Sequence, residues 1–184
     1  MRKMSVGVLM TTYNGTEFLE EQLQSLVDQV GVEVTLYAFD DGSVDSTIQI
    51  LDKYKESLNV KTFVNDTNSG GTGINLFQNL IIHQNSLANK HDYFSFCDQD
   101  DVWDQNKLFE ACAVLAESNA ALYFSNLTKW NSDDGSLGVI DKSHRLRKFD
   151  HIFSGGSAGC TYVFTNSFFK TLINHIGQFD FSNV

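Results

Sequence analysis

Basic residues are scarce in this sequence. Thirteen lysines and arginines face 23 aspartates and glutamates, which gives a formal net charge of −10 at pH 7. A protein that binds DNA or RNA needs a basic surface to neutralise the phosphate backbone, so we expect no nucleic acid partner. Basic residues cluster at positions 144–148 (HRLRK). A solvated face is the simplest interpretation of this cluster, and contact with a diphosphate or with an anionic membrane surface is the alternative.

Long apolar runs are also missing. No run approaches the ~18 residues that a transmembrane helix requires. The short apolar run at 4–10 continues directly into TTYNG, so it lacks the length and cleavage site of a signal peptide, and we predict a buried strand there. The 3 cysteines are widely spaced, without a metal or redox pattern, which suits a reducing compartment. We therefore expect a cytoplasmic protein, with peripheral association at the inner face of the membrane as a further option.

Strand and helix patterns alternate through most of the 184 residues. Apolar and β-branched runs predict strands, and stripes at helical spacing between them predict helices. The predicted strands are 5–10, 32–39, 60–64, 93–97 and 121–124. This alternation predicts right-handed βαβ units and a mainly parallel α/β sheet in a single domain. Asn14 and Glu17 have the spacing of a capping box for the first helix.

The chain loses this regularity after Phe124. Trp130–Gly135 predicts a hairpin turn with Leu137–Ile140 as the returning strand. A glycine-rich loop beginning at Ser154 then leads to a predicted strand, Cys160–Phe164, and a helix at 166–176.

Polar clusters follow three of the predicted strands, at Thr11–Asn14, Asp40–Ser43 and Asp98–Asp101. Ligands of open parallel sheets bind outside the carboxyl ends of the strands. The three carboxylates of the last cluster repel one another, and a hard divalent cation would relieve that repulsion. The alternative is a solvated acidic turn, with Asp101 or Asp104 capping the next helix. The convergence of the three clusters favours a site.

Four stretches in order resemble the family 2 glycosyltransferases, whose nucleotide-sugar-binding fold is called GT-A. They are MTTYNG at 10–15, FDDGSVDST at 39–47, FCDQDDVW at 96–103 and GCTYVF at 159–164. The last two are most similar to the rhamnosyltransferase-like branch. Thr11 stands where many members have proline, a residue that this chain lacks altogether. The resemblance implies a Rossmann-like sheet flanked by helices, with a nucleotide-sugar-binding half (1–126) and an irregular, incomplete acceptor-side half (127–184).

The resemblance also implies a donor site. Thr11 and Tyr13 would line the nucleotide base, and Tyr13 would stack on it. Asp40 would accept a hydrogen bond from the imide N–H of a pyrimidine, with Asp41 nearby. The alternatives are a half-buried turn aromatic at Tyr13 and a helix cap at Asp41.

The metal and the acceptor are implied in the same way. Asp98-Gln99-Asp100 would be the DxD motif, with Asp100 as the direct ligand of Mn²⁺ or Mg²⁺. Asp98 would contact the ribose, the metal or a metal-bound water. Gly159, Cys160 and Thr161 would lie near the sugar and the acceptor, although each cysteine also fits the role of a small buried hydrophobe.

The catalytic base is not identified by these motifs. An inverting transferase needs a general base for the acceptor hydroxyl. The family carries it as an aspartate in a short motif beyond Gly-Cys-Thr, and positions 161–184 contain no such motif. We therefore expect the base beyond Val184 and interpret the sequence as a fragment.

The function implied is metal-dependent inverting transfer of a sugar from a TDP- or UDP-linked donor. The acceptor would be a saccharide or a lipid-linked saccharide in cell-surface or capsular polysaccharide synthesis. A nucleotide-sugar-binding module without turnover is the alternative. A phosphate-transferring enzyme is a third option, but it requires an aspartate nucleophile with a lysine partner, and we identify no such pair.

Overall fold

The central strand, β1, covers Met4–Thr12. The computed structural model describes residues 2–131, 134–142 and 158–178. The other strands are β2 (Val32–Asp40), β3 (Asn59–Val64), β4 (Tyr93–Cys97), β5 (Leu122–Tyr123), β6 (Leu127–Trp130), β7 (Leu137–Ile140) and β8 (Val163–Thr165). The helices are α1 (Leu19–Val27), α2 (Thr47–Lys53), α3 (Thr72–Leu87), α4 (Lys107–Ser118) and α5 (Asn166–Ile176). A 3₁₀ turn, Tyr54–Glu56, extends α2, and another, Gly159–Thr161, precedes β8.

Six of the strands form one sheet in the order β3-β2-β1-β4-β8-β5. β1 pairs in parallel with β2 and β4, and β2 pairs in parallel with β3. The predicted mainly parallel sheet is therefore confirmed. Thr12 lies opposite Asp40, and Met10 lies opposite Cys97. This register brings the carboxyl ends of β1, β2 and β4 together at one edge.

Both faces of the sheet are covered by helices. Successive residues of a strand point to opposite faces, so Val6, Val8 and Met10 pack with α1, α2 and α4, whereas Leu9 packs with α3 and α5. A parallel sheet is normally covered in this way. The covered faces leave the edge formed by the strand ends as the place for a ligand.

The start of α1 differs from the prediction. The helix begins at Leu19, and no side chain of the described residues caps it, so the predicted capping box is wrong. Asn14 has a left-handed backbone (φ 46°), and its side-chain oxygen accepts from the amide of Val44, 3.0 Å away. Asn14 therefore joins the end of β1 to the loop after β2.

The chain after β5 partly follows the prediction. The hairpin is confirmed, with β6 and β7 paired from Leu127 opposite Ile140 to Trp130 opposite Leu137. The predicted strand at Cys160–Phe164 is a 3₁₀ turn followed by β8, which runs antiparallel between β4 and β5. The basic cluster at 144–148 and the start of the glycine-rich loop lie outside the described residues. Within the described ranges, no helix is long and apolar enough to cross a membrane.

Candidate donor and acceptor cavities

A cavity of about 630 Å³ opens at the edge where β1, β2 and β4 end. Its lining comes from four places in the chain: Thr11–Tyr13, Asp41, the stretch Asn68 to Asn75, and Asp98–Asp100. The structure thus brings the three predicted polar clusters together. It adds the loop between β3 and α3, for which turn-forming composition was the only signal in the sequence.

Asp40 does not have the position expected from the sequence. Its side chain is fully buried and lies outside the cavity lining. Oδ1 accepts from the hydroxyls of Thr12 (2.9 Å) and Ser43 (2.5 Å), and Oδ2 accepts from the amide of Ser43 (2.8 Å). Because β2 continues through Asp40, this side chain falls on the same face as Ala38 and holds the turn below the site. The expectation that Asp40 meets the base is corrected.

Asp41 takes the place at the cavity. Its Oδ1 accepts from the side-chain amide of Asn65 (2.9 Å) and the backbone amide of Ser69 (2.9 Å). Its Oδ2 accepts from the hydroxyl of Ser69 (2.9 Å) and shares the same backbone amide (3.0 Å). Asp41 is not a helix cap, because α2 begins at Thr47 and Asp45 accepts from the Thr47 amide (3.0 Å).

Gln99 links the loops after β1 and β4, a role that the sequence did not indicate. Its side-chain oxygen accepts from the amide of Tyr13 (2.9 Å), and its side-chain nitrogen donates to the carbonyl of Tyr13 (3.2 Å). A Cβ at Gly15 would lie only 2.5 Å from that oxygen, so a larger residue there would force the Gln99 side chain to shift. The Tyr13 side chain is 47% exposed at the rim of the cavity, and Thr11 is nearly buried beneath it.

The acidic residues after β4 lie close enough to influence one another's charge. Burial, and then the negative charges of Asp101 and Asp100, raise the pKa of Asp98 above its ordinary value. Ligand atoms of Asp98, Asp101 and Cys160 lie within 4.8 Å of one another. Oδ2 of Asp101 is buried without a hydrogen-bond partner in the described part of the chain. Asp100 is exposed and lines the cavity. Carboxylate oxygens grouped in this way are typical ligands of a hard divalent cation.

A second cavity of about 630 Å³ begins on the other side of Asp100, which lines both. Asp101, Trp103, Lys107 and Cys160 are among its walls, together with β6 of the hairpin. The Lys107 ammonium lies 4.6 Å from the centre of the Trp103 ring, and burial lowers the pKa of this lysine. The cavity therefore combines an aromatic surface with charged and polar groups.

The predicted acceptor-side residues divide between exposed and buried positions. Cys160 is buried and lines the second cavity, and burial followed by the neighbouring Asp101 raises the pKa of its thiol. Gly159 is exposed on the turn before it. Thr161 is fully buried, and both its amide (3.0 Å) and its hydroxyl (2.7 Å) donate to the carbonyl of Ala158 at the start of the 3₁₀ turn.

Comparisons with known proteins identify relatives along most of the chain. The model of the glycosyl transferase family 2 matches residues 7–176. The dTDP-rhamnosyl transferase RfbG of Shigella flexneri is 34% identical over 174 residues, covering 90% of this chain and 58% of RfbG. The poly(ribitol-phosphate) beta-N-acetylglucosaminyltransferase TarS of Staphylococcus aureus (strain Mu50 / ATCC 700699) is 33% identical over 119 residues, covering 64% of this chain and 20% of TarS.

Solved structures show the same fold. The crystal structure of S. aureus TarS 1-349 in complex with UDP has a TM-score of 0.72 at 24% identity, covering 92% of this chain and 49% of that one. The mannosyltransferase PcManGT from Pyrobaculum calidifontis, in complex with GDP-Man and Mn²⁺, has a TM-score of 0.63 at 15% identity, covering 94% of this chain and 47% of that one. This chain therefore spans little more than half of RfbG and about half of these structures. It belongs to the glycosyl transferase family 2 and has the GT-A fold.

Proposed function

We propose that this chain binds a nucleoside diphosphate sugar with a divalent cation and belongs to an inverting glycosyltransferase that passes the sugar to a saccharide acceptor. The observation that carries the proposal is the placement of Asp41 and the Asp98–Asp100 stretch on opposite sides of one cavity at three strand ends. Similar proteins support the donor class, since RfbG is a dTDP-rhamnosyl transferase and TarS has been solved with UDP and with UDP-GlcNAc.

The nucleotide base binds at the Asp41 side of the cavity. A carboxylate has about four acceptor positions, and the Ser69 backbone amide is shared between both oxygens of Asp41. Oδ2 therefore retains capacity for one more donor, and the imide N–H of uracil or thymine is a donor of that kind. The exposed ring of Tyr13 at the rim supplies a surface on which the base stacks.

The diphosphate binds at the Asp98–Asp100 side. A dianion cannot enter a site walled by aspartates in a protein of net charge −10 unless positive charge accompanies it. Asp100 and Asp98 would hold Mn²⁺ or Mg²⁺, which supplies Lewis-acid stabilisation of the diphosphate leaving group. The amino end of α3, with Gly71 and Thr72 in the cavity lining, follows Ser69 on the Asp41 side and adds a favourable helix dipole for an anion in the same cavity.

The acceptor binds in the second cavity. Asp100 lies on the boundary between the two cavities, so the donor sugar would meet the acceptor there. Trp103 and Tyr123 offer aromatic surface, and Asn126 offers an amide, a combination suited to a sugar ring and its hydroxyls. No general base is assigned among the described residues. Similarity to TarS, a poly(ribitol-phosphate) beta-N-acetylglucosaminyltransferase, favours a role in polysaccharide synthesis.

Ligand-dependent melting tests this proposal directly. The protein is titrated with UDP, TDP, GDP and ADP, each with Mn²⁺, with Mg²⁺ or with a chelator. We expect UDP or TDP to raise the melting temperature only when a cation is present. A chain that no pyrimidine nucleoside diphosphate stabilises with either cation would contradict the proposal. Binding without release of free sugar or transfer to any acceptor would favour the module without turnover.

A further inference from the structure

Two buried amides on α3 lie at the cavity formed where β1, β2 and β4 end, which is the donor cavity of the proposed function, and Asn75 is part of its lining. Asn75 and Asn79 lie one turn apart on α3 and are 1% and 2% exposed. A buried side-chain amide costs free energy unless its hydrogen-bonding groups are satisfied. Asn65, which follows β3, connects this pair to Asp41. The three asparagines, defined here as the amide relay, therefore join the interior of α3 to the carboxylate at the cavity.

The direction of the hydrogen bonds in the relay is set at both ends. At one end the carbonyl of Phe39 can only accept, so Asn75 must turn its Nδ2 toward it (2.9 Å). At the other end the Asp41 carboxylate accepts from Nδ2 of Asn65 (2.9 Å). Between them, Oδ1 of Asn75 accepts from Nδ2 of both Asn79 (2.6 Å) and Asn65 (3.1 Å).

This polarity leaves each amide with one orientation. If Asn75 were flipped, its nitrogen would face the nitrogens of Asn65 and Asn79, and the carbonyl of Phe39 would lose its donor. Asn79 also donates to the backbone carbonyl of Asn75 (3.0 Å), which ties it to the helix, and to Oδ1 of Asn65 (3.3 Å). Both the Nδ2 and the Oδ1 of Asn65 therefore form hydrogen bonds with side chains of α3.

The relay determines where Asp41 presents its free capacity. Oδ1 of Asp41 is held by Asn65 of the relay, and the Ser69 amide is shared between the two oxygens (2.9 and 3.0 Å). With the Ser69 hydroxyl, three donors occupy about four acceptor positions, and we infer that the remaining position is on Oδ2, the oxygen that the relay does not contact. A carboxylate that can rotate would lose this distinction between its two oxygens. Holding one oxygen from behind therefore fixes the direction in which the other meets a ligand donor.

We propose that Asn75 and Asn79, acting through Asn65, are positioning residues that make the donor site selective for a base with an imide N–H. The proposal rests on the function proposed above and deepens it at the base. None of the relay residues needs to touch the diphosphate, so the relay should affect recognition of the base and leave recognition of the diphosphate unchanged.

The experiment compares UDP with N3-methyl-UDP, which lacks the imide N–H, and with inorganic pyrophosphate, all with Mn²⁺. Dissociation constants are measured by calorimetry for the parent, Asn79→Ala, Asn65→Ala and the control Asn174→Ala, which changes an exposed asparagine on α5. In the parent we expect UDP to bind roughly tenfold more tightly than N3-methyl-UDP, the ratio for one hydrogen bond. Asn79→Ala and Asn65→Ala should each reduce this ratio to roughly threefold or less. Pyrophosphate affinity should stay unchanged, and Asn174→Ala should behave as the parent.

Each outcome has a definite meaning. Asn79 is buried, so circular dichroism melting first establishes that the variant folds; Asn65 is only half-buried, and its variant decides the question if Asn79→Ala does not fold. A folded relay variant that keeps the full UDP to N3-methyl-UDP ratio overturns the proposal. A parent that binds both nucleotides equally overturns it as well, because no base contact then exists to be positioned. A parent that binds neither nucleotide nor pyrophosphate overturns the proposed function itself.

Discussion

Replacement of Asp41 by asparagine tests the base contact with a change of a single atom. In Asp41→Asn, one carboxylate oxygen becomes an amide NH₂. At the Oδ1 position this group would face two donors, the side chain of Asn65 and the amide of Ser69. At the Oδ2 position it would face one fixed donor, the shared amide of Ser69 (3.0 Å), and the Ser69 hydroxyl, which can rotate to accept. We therefore expect the NH₂ at Oδ2, where it opposes the imide N–H of the base.

The size of the effect follows from that opposition. Two donors that face each other leave a buried group unpaired, which costs about 1–3 kcal/mol. UDP affinity should therefore fall roughly 5- to 150-fold, since 1.4 kcal/mol corresponds to a factor of ten. N3-methyl-UDP has no imide N–H, so its affinity should change little.

Calorimetry with both nucleotides in the presence of Mn²⁺ measures this difference. Asp66→Asn is the matched control, because it removes the same charge from an exposed residue outside the donor-cavity lining. If folded Asp41→Asn binds UDP as tightly as the parent does, Asp41 does not contact the base and the reasoning fails. A loss of equal size for both nucleotides would point to a disturbed loop instead of a lost hydrogen bond.

Three further predictions concern the metal, the buried aspartate and pH. Asp100→Ala should abolish the Mn²⁺-dependent part of UDP binding in calorimetry, whereas Asp52→Ala, which changes an exposed residue of α2, should not. Asp40→Asn should lower the free energy of unfolding in urea by about 1–3 kcal/mol but preserve the UDP to N3-methyl-UDP ratio. Burial, followed by the charge of Lys61, lowers the pKa of His91 to about 4. The neutral ring therefore stabilises the folded protein fully above pH 6.5, the ordinary pKa of histidine. As the pH falls from 6.5 to 4, the free energy of unfolding should decrease by about 3 kcal/mol through this residue.

Opposite outcomes would be informative for each. Undiminished Mn²⁺ dependence in Asp100→Ala would remove Asp100 from the metal site. If folded Asp40→Asn bound UDP and N3-methyl-UDP equally well, Asp40 would have a role in recognition of the base. For His91, the ring nitrogens contact the hydroxyls of Ser5 (2.7 Å) and Tyr37 (2.8 Å). Replacement of His91 by phenylalanine should remove this part of the decrease in unfolding free energy at low pH. If urea unfolding of the parent and of the variant depends on pH in the same way, His91 is not the titrating group.

The architecture, and the edge of the sheet that carries the candidate site, could be predicted from the sequence. Alternating strand and helix patterns require crossover connections, and these produce parallel strands whose carboxyl ends meet. Polar residues after the strands ending at Thr12, Asp40 and Cys97 therefore had to converge. The order of four motifs also indicated the family, which the match over residues 7–176 confirmed.

Which side chains face the cavity could not be predicted, because it depends on the assembled sheet and loops. Asp40 and Asp41 are adjacent and chemically identical. β2 ends at Asp40, one residue later than predicted, so the Asp40 side chain points into the protein on the same face as Ala38, and Asp41 lines the cavity. Side-chain direction alternates with every residue, so the exact end of a strand decides such a choice, and composition does not define that end.

The amide relay and Gln99 depended on contacts that no local pattern records. Asn75 and Asn79 are buried amides within a helix, where sequence reasoning expects apolar side chains, and their partners lie on the loop after β3 and at the end of β2. Gln99 binds the backbone of Tyr13, 86 positions away in the chain. Such hydrogen bonds exist only after the strands are assembled, because the parallel register of β2 with β3 and of β1 with β4 is what brings the two partners within reach.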